Sequence, residues 1–271
     1  MIAEPTYESL NTLALWHDMA TITLDEMQRV KLMNRIDTKY VLHVEEVMQL
    51  IGHLATYGYR VQVLGAVRAA RYDTLYYDTP QRHMYLVHHN RQLTRQKVRT
   101  RTYLESDVTY LEVKNKSNGG RTRKRRMELP RGLFHNFGDD AAAAAFYADK
   151  GWCALNELSP ALSTRFTRIT LVNPALTERL TIDLGLCYED VRSGRGAAIA
   201  EMAIVELKQD GLCPSTAKSI MQHMRIAPLK VSKYCLGTAL TVEGIKRNRF
   251  QEKLRYIAKR LGGLEIVTTA K

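Results

Sequence analysis

Between Arg91 and Arg126 the chain reads RQLTRQKVRTRTYLESDVTYLEVKNKSNGGRTRKRR, and this stretch limits what the rest can fold into. Side chains of a strand alternate between two faces. Read that way, Arg95, Lys97, Arg99 and Arg101 share one face, and Gln96, Val98, Thr100 and Thr102 share the other. After the polar turn Glu105-Ser106-Asp107, a second strand over Tyr110–Lys116 puts Glu112, Lys114 and Lys116 together. Asn118-Gly119-Gly120 is a hairpin signal. A third strand, Arg121–Leu129, then aligns Lys124 with Arg126. Three successive strands present cations with one embedded carboxylate. A solvated sheet face would mix the two signs, and like charges directly opposite each other destabilise a sheet. Such a surface expects a polyanion.

The composition agrees. The 271 residues, 45% hydrophobic and 25% charged, carry 40 basic against 28 acidic side chains, a formal charge of +12. That length supports one large or two small domains with a sizeable core. The charge implies an anionic partner: nucleic acid, an anionic membrane surface or a phosphorylated small molecule. No apolar run reaches the length of a membrane span, and no signal-peptide pattern opens the chain, so a cytoplasmic protein is expected. Cys153, Cys187, Cys213 and Cys235 have no metal-like or paired spacing and read as buried thiols. His83, His88 and His89 read as helix-surface residues.

Residues 1–20 carry few signals and read as a docking or mobile tail. Thr23 with Glu26 is a capping box opening a helix to about Asn34. The expected order continues with a strand over RIDTKYVL, a helix over Val44–Thr56 and strands over Tyr59–Leu64 and Arg68–Tyr77. A short helix over Gln81–His89 precedes the cationic strands. An Ala-rich helix follows over Ala141–Lys150. Strands are expected over Ala161–Val172, Glu178–Asp183, Leu186–Val191 and Ala200–Lys208. Helices close the chain near Ser215–Met224, Val231–Leu240 and Val242–Leu261, the last carrying a solvated basic face. Arg35, Asp37 and Lys39 share a face, as do Arg179, Thr181 and Asp183, and Glu206 and Lys208.

An α+β fold follows, with an antiparallel β-barrel and flanking helices. Closure removes sheet edges and turns alternating charges into a lumen. That lumen would set Lys39, Arg99, Arg101, Lys114, Lys124, Arg126, Arg179 and Lys208 against Asp37, Glu112, Asp183 and Glu206. Buried charges need partners, so the lumen would be a tunnel for phosphates and a divalent metal.

The ordered set RxDxKY (Arg35–Tyr40), YYDT (Tyr76–Thr79), KVRTRTY (Lys97–Tyr103), LEVKNK (Leu111–Lys116), TRKRR, RLTID (Arg179–Asp183), VELK (Val205–Lys208) and SKY (Ser232–Tyr234) resembles the VTC domain. That is the catalytic domain of the vacuolar transporter chaperone polyphosphate polymerase. It belongs to the triphosphate tunnel metalloenzymes, the CYTH-like superfamily. The resemblance spans about residues 29–240, leaving residues 1–28 as an N-terminal segment and 241–271 as a basic C-terminal helix on the same domain. It implies tunnel bases at Lys39, Arg99, Arg101, Lys114, Lys124, Arg126, Arg179 and Lys233, with Arg168 in the strand before RLTID. It implies a metal carboxylate at Glu206, joined by Asp183, with Glu112 lining the tunnel. Where the cyclase branch has ExExK, this chain has Arg35-Ile36-Asp37-Thr38-Lys39, which favours the VTC branch.

The expected chemistry is transfer of the ATP γ-phosphoryl to a growing polyphosphate chain, with Mn²⁺ or Mg²⁺ and no covalent nucleophile. Arg99, Arg101, Lys124, Arg126 and Arg179 would carry the transition-state charge. A tripolyphosphatase or nucleoside triphosphatase on the same fold stays open, because water and phosphate are alternative acceptors. A non-catalytic polyphosphate or nucleic-acid binder is the reading from another class. Aromatics are not interleaved with the basic strands as a stacking platform requires, so no specific nucleic acid is expected. The basic final helix leaves room for an anionic membrane surface or a membrane-protein partner.

Overall fold

A computed structural model describes residues 6–27, 35–211 and 213–261. Its strands are β1 (Thr21–Thr23), β2 (Arg35–His43), β3 (Arg60–Val63), β4 (Ala69–Asp78), β5 (Arg95–Tyr103), β6 (Val108–Lys116), β7 (Thr122–Leu129), β8 (Ser159–Val172), β9 (Glu178–Asp190), β10 (Gly196–Ile199) and β11 (Met202–Asp210). The helices are α1 (Tyr7–Asn11), α2 (Leu24–Met27), α3 (Val44–Thr56), α4 (His83–His89), α5 (Ala141–Ala148), α6 (Thr216–His223), α7 (Lys233–Thr241) and α8 (Gln251–Arg260).

The principal ladder runs β2-β11-β9-β8-β4-β5-β6-β7, antiparallel throughout; only the side pair β1–β3 is parallel. The sheet curls into a half-barrel. Its ends β2 and β7 do not pair, yet Lys114 of β6 lies within electrostatic reach of Glu206 on β11 and Asp37 on β2. A strap covers the free edge of β2: Leu229 N–H donates to the Lys39 carbonyl at 2.7 Å. Three residues further on, the Ser232 hydroxyl receives the ammonium of Lys97 on β5 at 2.8 Å. One stretch of chain thus spans the gap between the two walls.

The alternation read from the sequence assigns the two faces. On the convex side, Leu42, Leu171, Leu180, Ile182, Val205 and Leu207 pack against Val47, Leu50, Ile51 and Leu54 of α3. These four recur at helical spacing and are fully buried, worth about 1.5–3 kcal/mol each. His43 caps α3: its ring accepts from Glu45 N–H at 3.2 Å, and Glu46 accepts from His43 N–H at 2.8 Å. The far convex wall packs Leu75, Val98, Leu111 and Val113 against Ala143 and Tyr147 of α5, which Asp140 caps. Inside the curl, α7 lies against β8 and β9 and plugs one end, with Tyr234 beside Tyr76, Leu162, Phe166 and Tyr188.

Several expectations change. The N-terminal segment docks, with Leu10, Trp16 and Met19 buried in the α3 core. The Thr23–Glu26 capping box forms, but the expected continuation of its helix to Asn34 lies outside the described residues. Glu178–Asp183 and Leu186–Val191 are one strand, because left-handed Gly185 (φ 59°) forms a bulge in β9, where Gly185 and Leu186 lie across from Phe166 alone, and the ladder continues past it. The helix expected over Val242–Leu261 shrinks to α8, since Gly244 (φ 67°) breaks the chain after α7. Its basic face is not simply solvated. Arg247 caps the Ala239 carbonyl at 3.1 Å, Arg249 the Asn90 carbonyl at 2.7 Å, and Arg260 pairs with Glu46 at 2.5 Å. Cys235 is buried, but Cys213 is exposed. His83 is exposed as expected, whereas His89 is fully buried and accepts from Arg249 N–H at 3.2 Å. His88 turns inward to Cys235, with Nδ1 and Sγ 3.1 Å apart.

Two glycines give opposite expectations. A Cβ on Gly237 of α7 would overlap Tyr188 and Leu162, whereas one on Gly52 of α3 would meet Leu15 at an ordinary 3.9 Å. Alanine favours a helix by about 1 kcal/mol over glycine, and overpacking costs about 1–3 kcal/mol. Gly52→Ala should therefore raise the thermal midpoint and Gly237→Ala lower it; a rise in both would contradict the tight seating of α7.

Candidate functional site: the cationic concavity

Strand parity brings the inward-facing side chains into rows. Lys39 lies opposite Glu206, and Lys208 opposite both Asp37 and Arg179. Asp183 lies opposite Arg168, Arg101 opposite Thr74, Arg99 opposite Tyr76 and Glu112, and Lys97 opposite Lys114. Arg126 and Lys124 of β7 face Glu112 and Lys114. Lys233 enters from elsewhere, on the first turn of α7. The phosphate-binding residues expected from the sequence therefore lie together on the concave face.

Three carboxylates organise them, each gripped by two cations. Glu206 accepts from Lys39 and Lys208. Glu112 accepts from Arg99, at 2.6 Å from Nε, and from Lys124. Asp183 takes both arms of Arg168, at 2.5 and 2.8 Å, and the ammonium of Lys233. Asp37 pairs with Arg35, Nε to Oδ1 at 2.6 Å. Burial alone would raise these three acids, but their paired cations outweigh it and hold them well below the usual carboxylate range. Burial pushes Lys208 and Lys233 down to about 8 despite their carboxylate partners.

Other cations receive no carboxylate among the described residues. Arg101, 5% exposed, donates only to Thr74 Oγ1 at 3.0 Å, and burial and then Arg99 depress it. Arg179 leaves its Nε buried without a partner, and burial followed by Arg35 and Arg168 depresses it. Lys97 has Ser232, and Lys114 and Arg126 have no ion pair. Leaving a buried charge unpaired is expensive, so this face is short of anions by design.

An aromatic floor holds the cations in place. Tyr72 and Phe166 stack at 5.2 Å between centroids. Arg168 sits 4.8 Å from the Tyr72 ring centre, Arg101 5.5 Å from Tyr72 and 5.6 Å from Phe166, and Lys233 4.6 Å from Phe166. Arg126 covers Tyr110 at 4.5 Å. Such contacts stabilise by roughly 0.5–2 kcal/mol when desolvated. Sequence reasoning missed this floor, together with Ser232 and Tyr76, and it placed Lys97 on the cationic face without carrying it into the lumen. The signal for Lys97 was present, since it shares the parity of Arg99. Tyr76 lies opposite Arg99, and its hydroxyl is 3.2 Å from Nη1. Burial would raise this phenol, yet Arg99, Arg101, Lys97 and Lys233 together bring it down to about 8.

No group of three His, Cys, Asp or Glu gathers among the described residues. The donors present are single hard oxygens: Glu206, with a side chain 19% exposed, and its neighbour Asp37, 29% exposed. That set fits Mg²⁺ or Mn²⁺, which keep several waters and bind through one or two carboxylates plus substrate phosphates. Asp183 fits less well: cations take both oxygens of Glu206 and of Asp183 alike, but the Asp183 side chain is only 3% exposed and is held by both Nε and Nη2 of Arg168.

Fold and site together define a β half-barrel with a polycationic concave face and embedded carboxylates. The VTC domain family matches residues 34–242, and the chain belongs to that family. No curated protein sequence matches it. Among solved structures, a putative adenylate cyclase from Vibrio parahaemolyticus is 11% identical, with 76% of this chain and 99% of that one covered and a TM-score of 0.45. A putative adenylyl cyclase from Hippeastrum, described as having a dominant triphosphatase activity, is 13% identical, covers 78% and 98%, and scores 0.49. A conserved hypothetical protein from Pyrococcus furiosus is 14% identical, covers 85% and 92%, and scores 0.36. These likenesses are distant. No helix among the described residues is long and apolar enough to cross a membrane.

The phenol supplies a direct readout. One tyrosine should ionise near pH 8 in the folded protein, about two units below the ordinary value of about 10. Because its folded value is depressed, its contribution to stability grows as pH rises past 8. Tripolyphosphate should move the step upward by neutralising the surrounding cations, and Tyr76→Phe should remove it. An ultraviolet titration with no tyrosinate below pH 9.5 or so would contradict the geometry.

Proposed function

We propose that the concavity binds the triphosphate of ATP and transfers its terminal phosphoryl group to the end of a polyphosphate chain. The observation that supports this most is the set of cations without a carboxylate partner among the described residues, buried Arg101 and half-buried Arg179 with half-buried Lys97 beside them, among carboxylates already doubly paired. Phosphoryl transfer passes through a loose transition state with charge spread over the equatorial oxygens, so fixed cations and alignment are the main requirements. Arg99, Arg101, Lys124, Arg126 and Arg179 stabilise that charge. Lys39, Lys114, Arg168, Lys208 and Lys233 hold the phosphates in line. The terminal oxygen of the chain forms the new P–O bond, the bond from the γ-phosphorus to the bridging oxygen breaks, and ADP leaves with the electron pair.

Glu206 would hold the divalent metal, Mg²⁺ or Mn²⁺, and that ion would add Lewis-acid neutralisation of the phosphate oxygens. Asp183 instead orients Arg168 and Lys233. Asp37 lies beside Glu206 at the mouth, and Glu112 fixes Arg99 and Lys124.

Hydrolysis on the same face is the second reading. The four carboxylates within the cation field, Asp37, Glu112, Asp183 and Glu206, are each engaged by a cation, which leaves no free carboxylate among them to take a proton from water. A phosphate-chain acceptor is already anionic and needs none. That difference favours transfer over hydrolysis.

Incubation with γ-labelled ATP and Mn²⁺ tests the proposal. The expected product is a ladder of long chains with matching ADP. Glu206→Gln should lower turnover by at least about tenfold, the scale of one lost charge contact, while tripolyphosphate still binds. Orthophosphate as the only product would establish the hydrolase, and full activity of Glu206→Gln would remove that residue from the site.

A further inference from the structure

The cation field does not stop where α7 plugs the half-barrel. On β5 and β6 the row after Lys97 and Lys114 pairs Arg95 with Lys116, two like charges directly opposite each other. From Arg99 to Arg95 is about 13 Å along the strand, beyond the groups that grip a triphosphate centred on Arg99 and Arg101. The strap before α7 carries Lys230, exposed, two residues ahead of the Ser232 that meets Lys97. From α8, Lys253 donates to the Lys230 carbonyl at 2.7 Å. Arg249 ties this end to the α4 turn by donating to the Asn90 carbonyl at 2.7 Å, and the next residue is the exposed Arg91.

His88 lies in the middle and registers its surroundings. Burial holds its ring far below the usual histidine value, and Lys97, Arg95, Lys253 and Lys116 depress it further. Lys253 is lowered by burial and then by Arg91 and Lys230, with Glu252 the weakest of the opposing influences. Among the described residues, none of Arg91, Arg95, Lys116, Lys230 and Lys253 makes an ion pair. Elsewhere on the surface Arg71 pairs with Glu105, Arg131 with Asp107 and Arg195 with Glu243.

We infer that Arg95 and Lys116, followed by Lys253, Lys230 and Arg91, form an outer track that holds the distal part of a linear polyphosphate whose end lies in the concavity. This inference rests on the function proposed above and extends it to the length of the chain bound. The track fits a chain of bare phosphates better than a nucleic acid, which would need open aromatic faces. The aromatic at this mouth, Phe250, is packed edge-on against Tyr85 at 5.8 Å and His89 at 5.3 Å.

The test compares tripolyphosphate with long-chain polyphosphate at equal concentrations of chain ends, by calorimetry at several salt concentrations. The full chain and a double variant, Arg91→Gln with Lys230→Gln, are measured side by side; both positions are exposed. The unaltered protein should bind the long chain at least about tenfold more tightly than tripolyphosphate, and the variant should lose most of that advantage. Its affinity for tripolyphosphate should stay within about twofold. Its salt slope for the long chain should fall by about one per cation removed. Adding Lys253→Gln should weaken the long chain further. Equal affinity for the two lengths, or an equal loss of both in the variant, would overturn the track. Displacement of the long chain by single-stranded RNA at equal charge would overturn its assignment to polyphosphate. Tripolyphosphate that fails to bind the unaltered protein would overturn the reading of the concavity itself.

Discussion

The structure depends on three carboxylates, buried Glu112 and Asp183 and half-buried Glu206, that each hold two cations. Without Glu112, Asp183 and Glu206 the concave face would set Asp37 alone against all its cations, and like charges directly opposite each other destabilise a sheet. With them, Lys39, Lys208, Arg99, Lys124, Arg168 and Lys233 stay in fixed positions at partial neutrality. Pairing of this kind seldom adds net stability, since desolvation offsets the Coulomb gain. Its effect here is to orient the cations before any ligand arrives. Arg101 and Arg179 remain without a carboxylate among the described residues, the deficit that the proposed function assigns to an incoming anion.

The helix α7 joins this electrostatic arrangement to the apolar one. Its first turn carries Lys233 to Asp183, and its N-cap Ser232 both accepts from Lys97 and receives Cys235 N–H at 3.3 Å. One turn later Gly237 lets the helix sink against Tyr188 and Leu162. The same helix therefore plugs the half-barrel with apolar side chains and supplies a cation to its floor. Tyr234 reaches past it to Asp78, which also accepts from Met84 N–H and Tyr85 N–H at 2.9 Å. Plug, α4 and β4 are locked together through one carboxylate.

Strand parity made much of this legible in advance. Period-two reading of β2, β5, β6, β7, β9 and β11 places the inward charges, because a register slip would expose the whole apolar set of the other face. Helix α3 was legible too, with the expected bounds Val44–Thr56. Other features were not. That Asp183 is taken by Arg168 and Lys233 depends on where α7 docks, and no local pattern fixes a helix's docking. The continuity of β9 depends on a left-handed turn at Gly185, which in sequence looks like a stop. The docked N-terminus rests on single anchors, Leu10 and Trp16, too sparse to form a period. The role of Tyr76 is not marked in the sequence beyond its place in YYDT, since its cationic surroundings come from neighbouring strands.

The central claim is that this face is preorganised and short of anions. Thermal unfolding in tripolyphosphate, against sodium chloride matched for ionic strength, tests it most directly. A ligand that binds only the folded state stabilises by about 2.7 kcal/mol at one hundred times its dissociation constant. The midpoint should therefore climb steadily with tripolyphosphate and change little with chloride. The same small shift with both salts would mean that the cations are merely screened, and the claim would fail.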